Sequence, residues 1–167
     1  MWKNPYDQLE LPGTYGYDFG DYDSDPMDED EDGHGTHCAG VISAVSDNNK
    51  GICGISNAKL MALKVFNSAG TSYDSAIIAA FNYIYKAQTL GANIAAINCS
   101  WGGGGSSSTS MKTLINQIGQ NGSLFLFAAG NDGEDHNNAI SDGCPYDLDS
   151  PYVVTVGAST QTDKKAS

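Results

Sequence analysis

Three short stretches of this sequence carry side chains suited to chemistry. The first is Asp32-Gly33-His34-Gly35-Thr36-His37-Cys38-Ala39-Gly40. An imidazole titrates close to neutral pH, so His34 can act as a general base, and Gly33 and Gly35 leave a substrate backbone room to approach. His34 and His37 also share a helical face at i and i+3, a spacing open to zinc. That zinc reading has no glutamate between the histidines and no evident third ligand. A further alternative is structural, with one histidine capping a helix and the other packed.

The second stretch is Phe127-Ala128-Ala129-Gly130-Asn131-Asp132-Gly133, an apolar strand running into small residues and an asparagine. The Asn131 amide there can donate to a developing oxyanion, and Asn-Asp-Gly is equally good turn chemistry. The third stretch, Asn98-Cys99-Ser100-Trp101-Gly102-Gly103, opens a strand end into glycines. Bare backbone of this kind can pair with an extended peptide, or form a simple loop.

Alternating strands and helices must position these residues. Cys38, Val41, Ile42 and Val45 fall at i, i+3, i+4 and i+7, one face of a helix expected to end near Asp47-Asn48-Asn49. Leu60 to Phe66 is a short apolar strand, and Ser72 to Thr89 a long helix with Tyr73, Ile77, Phe81 and Ile84 on one stripe. Ile94 to Cys99 reads as a buried strand. Met111, Leu114, Ile115 and Ile118 mark a helix closed by Asn121-Gly122, and Ser110 belongs to its first turn. Leu124 to Ala129 and Tyr152 to Ala158 are further strands. Apolar runs alternating with helices predict an α/β fold, a parallel sheet covered on both faces, with ligands at the carboxyl ends of its strands.

Charge narrows the partners. The 167 residues hold 8 Lys and no Arg against 20 Asp plus Glu, a net charge of −12, which disfavours nucleic acid and anionic membrane surfaces. A 40% hydrophobic content can fill a core, and no apolar run is long enough to span a bilayer. The start, Met1-Trp2-Lys3-Asn4-Pro5, has no apolar segment of the secretory type. The 4 cysteines, Cys38, Cys53, Cys99 and Cys144, are too few and scattered for a disulfide framework. The first 32 residues hold 11 of the 20 acids together with Pro5, Pro12 and Pro26, and read as an irregular loop region. Tyr15, Tyr17, Phe19 and Tyr22 within it indicate a loop held against a body.

In this order and spacing the three stretches resemble the subtilisin-like serine proteases. HGTHCAG resembles that family's histidine motif, SWGG its substrate-binding segment, and AAGND the segment whose asparagine completes the oxyanion hole. The likeness runs from about Tyr15 to Ala166 and extends to the thermitase-like group, which tends to share the cysteine after the second histidine. It implies a subtilisin-like three-layer α/β fold, with His34 as general base and Asn131 as oxyanion donor. It further implies a substrate cleft built on Ser100, Trp101, Gly102, Gly103, Ala129 and Gly130, with Trp101 walling an apolar subsite. Asp18-x-x-Asp21-x-Asp23-x-Asp25 resembles the group's calcium loop, so a structural Ca²⁺ on Asp18, Asp21, Asp23 and Asp25 is expected, the alternative being a solvated acidic loop. Implied partners are a polypeptide substrate and an inhibitory propeptide, and the parent is expected to be an exported monomer.

The sequence departs from the family in two places. The family's triad runs Asp, His, Ser along the chain. No apolar strand followed by D-[ST]-G precedes the histidine motif here, and no G-T-S-M-A segment follows Asn131. Ser110-Met111 echoes the latter, but between the substrate segment and the asparagine. The whole of 1–167 is therefore expected to be the central portion of a peptidase domain, with residues 1–33 its acidic loop region and 34–167 its α/β core. Either a fragment or an incomplete gene product fits, and a non-catalytic peptide-binding or calcium-binding pseudoprotease is the alternative. By itself the chain is expected to be inactive.

Overall fold

The computed structural model describes residues 15–102, 108–131, 133 and 149–166. The chain divides into two compact units, the first ending at Tyr83 and the second beginning at Ile84. Every ladder among the described strands is parallel, as alternation of strands and helices requires, and the ladders fall into two sets rather than one sheet.

The first unit contains β1 (Gly16–Asp18), α1 (His34–Ser43), β2 (Ala62–Lys64) and the first part of α2 (Asp74–Thr89). Strand β1 lies inside the stretch expected to be irregular. It pairs Gly16 with Ala62, Tyr17 with Leu63 and Asp18 with Lys64, and Phe19 N–H continues the ladder to the Lys64 carbonyl at 2.7 Å. Tyr17 and Phe19 are buried, the latter edge-on to Tyr83 with ring centroids 5.9 Å apart. Tyr15 and Tyr22 are exposed, so only part of the aromatic set holds the loop down.

Helix α1 begins at His34 as the motif predicts, yet none of its residues is buried, and Val41 and Val45 are exposed. The expected face is only partly formed: the helix ends at Ser43 rather than near Asp47-Asn48-Asn49, so Val45 lies outside it. The last turn of α1 is sealed by backbone: Gly54, Ile55 and Ser56 N–H groups donate to the carbonyls of Ala44, Val41 and Ile42 at 3.0, 3.0 and 2.9 Å. Those bonds satisfy carbonyls that a helix end leaves without partners. In α2, Ala76, Ile77, Ala80, Phe81 and Tyr83 form the buried stripe of this unit, whereas Tyr73 lies before the helix and is exposed.

The second unit contains the end of α2, then β3 (Ala96–Cys99), α3 (Thr109–Gln120), β4 (Leu124–Ala128) and β5 (Val153–Val156). The strand order is β3-β4-β5, with Cys99 opposite Phe127 and Phe127 opposite Thr155. Helix α3 follows its pattern closely. Ser108 accepts a hydrogen bond from Met111 N–H at 3.1 Å as N-cap, and Met111, Leu114, Ile115 and Ile118 are buried. Gly119 permits a close approach: a Cβ there would lie 2.1 Å from Tyr152 Cγ.

Phe125 and Phe127 are fully buried and stack with centroids 6.1 Å apart. Ser123 is buried too, and its hydroxyl links the Gln88 side chain to the Ile94 carbonyl. Strand β3 corrects the expectation of a fully buried run, since only Cys99 is buried. Likewise Leu124, Val154 and Val156 are exposed. The described elements cover this sheet incompletely.

Candidate active site

His34 owes its place to the turn before it. Gly33 sits in the left-handed region (φ 58°, ψ 34°), which a side chain would strain, and offers no side-chain cap. Asp28 supplies the missing acceptor: its Oδ2 takes the Thr36 N–H at 2.8 Å, placing a carboxylate at the positive end of α1. Burial alone would raise the Asp28 pKa, but the Thr36 hydrogen bonds and the nearby His34 hold it below the usual carboxylate value. The His34 ring is exposed, with Nε2 3.7 Å from Cys38 Sγ one turn further on.

His37 is exposed as well, so it is not packed as the structural alternative had it. Among the described residues no three His, Cys, Asp or Glu side chains are placed to hold a metal, so the zinc arrangement on His34 and His37 is not formed. Cys38, Cys53 and Cys99 are unpaired, and burial pushes the Cys99 thiol pKa well up; Cys144 lies outside the described residues.

In the second unit, parallel pairing of β3 and β4 sets the two other motifs side by side. Ser100, Trp101 and Gly102 leave the carboxyl end of β3, while Ala129, Gly130 and Asn131 leave that of β4. Gly103 lies outside the described residues. Trp101 packs edge-on against Phe127 (5.6 Å, 85°), which ties the first segment to the strand that carries the second. Ser100 Oγ accepts from the Asn98 amide at 2.9 Å. Ala129 N–H donates to the Val156 carbonyl at 2.9 Å, so order persists to the strand end. Gly130, at φ 85°, then turns the chain and leaves Asn131 exposed.

The acidic loop takes a form the sequence did not announce. Lys64 Nζ lies 2.6 Å from Asp18 Oδ2 and 2.9 Å from Asp21 Oδ2. Asp23 Oδ1 accepts from Asp25 N–H at 2.8 Å and Asp25 Oδ1 from Met27 N–H at 3.2 Å. Among the described residues these four aspartates form no cluster placed to hold a metal ion. A charged residue inside the apolar run Leu60 to Phe66 was the available signal, because a lysine on a buried strand needs a partner.

Comparison with known proteins agrees with this geometry. The sequence profile described as the subtilase family (peptidase S8) matches residues 5–167. Thermitase of Thermoactinomyces vulgaris is 31% identical over 153 residues, covering 91% of this chain and 50% of thermitase. Subtilisin-like protease 2 of Pseudogymnoascus destructans is 33% identical over 145 residues, covering 87% of this chain and 32% of that protein. The solved structure of sphericase superimposes with a TM-score of 0.70 at 26% identity, covering 89% of this chain and 48% of sphericase. The chain thus spans between a third and a half of these relatives' length. Its α/β fold is subtilisin-like, and the chain belongs to the subtilase family of serine proteases.

Proposed function

We propose that the protein carrying this chain is an exported serine endopeptidase that hydrolyses peptide bonds through an acyl-enzyme. His34 takes the proton of the attacking serine and returns it to the leaving amine. The Asn131 amide, with a backbone N–H, donates to the tetrahedral oxyanion. Ser100, Trp101 and Gly102 pair with the substrate main chain, together with Gly103, Ala129 and Gly130. The nucleophile and the acid that orients His34 come from segments with no counterpart in residues 1–167. Export accords with the relative from Xanthomonas campestris described as an extracellular protease.

The observation that carries this reading is the β3–β4 register, which sets Ser100 to Gly102 and Ala129 to Asn131 side by side at the carboxyl ends of two parallel strands. The test is kinetic, in the complete enzyme. His34→Ala should lower kcat by several orders of magnitude with KM nearly unchanged, and Asn131→Leu should lower it about 10²–10³-fold. A fluorophosphonate probe should label the complete enzyme and leave residues 1–167 alone unlabelled. An unlabelled, non-hydrolysing complete protein would identify a peptide-binding pseudoprotease instead.

A further inference from the structure

We propose that Lys64 takes the place of the metal cation in the acidic loop, so that an internal ion pair closes the loop and its folding is independent of calcium. The register of the first ladder sets this up, because Asp18 on β1 lies directly opposite Lys64 on β2. Both partners are largely withdrawn from water: the Asp18 side chain is 3% exposed and that of Lys64 13%. A carboxylate so placed requires a cation or several donors, and it has both.

The oxygens are already committed. Asp18 Oδ1 accepts from the Gly20 and Asp21 N–H groups at 2.7 and 3.0 Å, and Oδ2 from Lys64. Asp21 Oδ2 accepts from Lys64 and from Ser68 N–H at 2.8 Å, and Oδ1 from the Ser68 hydroxyl at 3.4 Å. Calcium takes six to eight oxygens, and to reach these it would have to strip their donors and lie beside an ammonium. Asp23 and Asp25 each give one oxygen to a loop N–H group, and among the described residues they form no group with Asp18 and Asp21 placed to hold a metal. The donor set thus fits a lysine and does not fit a divalent ion.

The experiment compares the full chain with its Lys64→Met variant, which keeps the aliphatic stem and removes the charge. Melting temperature is read in chelator and in millimolar CaCl₂, and terbium emission sensitised by nearby tyrosines reports occupancy. The wild-type chain is expected to melt alike in both and to show no saturable terbium signal. Lys64→Met is expected to gain both responses, its melting temperature rising with the logarithm of free calcium, and to lose them again with Asp18→Asn added. Saturable calcium stabilisation of the wild type that Asp18→Asn abolishes would overturn the proposal. So would a Lys64→Met variant as indifferent to calcium as its parent. Should Lys64→Met fold in neither condition, recovery of the fold in Lys64→Met/Asp18→Asn supports the proposal and continued failure overturns it.

Discussion

The β1–β2 ladder and the β3–β4–β5 sheet are both parallel, yet different forces hold them. The second is organised around Phe125, Phe127, Ile115 and Ile118, all fully buried, with aromatic rings stacked and edge-on to one another. The first has Phe19 and Tyr17 beneath it, but its specific fastening is electrostatic: Lys64 between Asp18 and Asp21. Apolar burial is non-directional and tolerates some slippage, whereas an ammonium between two carboxylates fixes one register. A strand of only three residues needs the second kind of constraint.

Four substitutions would break or sharpen that contrast. Phe127→Ala should have the largest effect, about 3–5 kcal/mol in urea denaturation of the full chain, because it removes a fully buried ring contacting both Phe125 and Trp101. A loss under about 1 kcal/mol would show that the sheet does not depend on its aromatic core. Asp18→Asn should follow at about 2 kcal/mol, below the ~3–5 for breaking a fully buried pair, because Lys64 keeps Asp21 and some access to water. High salt should leave the Phe127→Ala effect unchanged and shrink the Asp18→Asn effect only slightly, because a pair so withdrawn from water is screened little.

Ser108→Ala comes next, at about 1 kcal/mol for a lost N-cap, and should raise amide exchange in the first turn of α3 before it lowers global stability. The smallest effect belongs to Asp28, whose folded pKa lies below its unfolded value. Its contribution is complete above the unfolded value near ~4 and fades as pH falls through the depressed one. Asp28→Asn should therefore flatten the acid limb of the stability curve. A curve unchanged by Asp28→Asn would remove this carboxylate from the account of α1.

The same contrast explains what could be read from residue order. Helix α3 and strand β4 were legible because Met111, Leu114, Ile115 and Ile118 keep helical spacing and Leu124 to Ala128 form an unbroken apolar run. Strand β1 was not, since Gly-Tyr-Asp among acids has no strand periodicity, and its pairing depends on β2 more than forty positions away. In α1 the spacing marked a face of which Val41 and Val45 are exposed, because spacing reports amphipathicity and not whether a neighbour covers it. The site divides similarly. His34 and Asn131 stand at a helix start and beyond a strand end, as their motifs indicated, whereas the Asp28 cap and the Lys64 counterion depend on folding back across loops.

The seam between α1 and Gly54–Ser56 has a consequence for how the gene can be rearranged. Residues 45–53 leave and rejoin the fold at one point, since Gly54 N–H is bonded to the Ala44 carbonyl, and every residue of the excursion is exposed. Such a closed surface loop adds little entropy cost when lengthened, because closure depends only logarithmically on length. Circular permutation or insertion of a reporter domain at Asn48–Asn49 should leave the hydrogen bonds between the helix end and the returning segment Gly54–Ser56 intact. That makes this loop the natural place to open the chain.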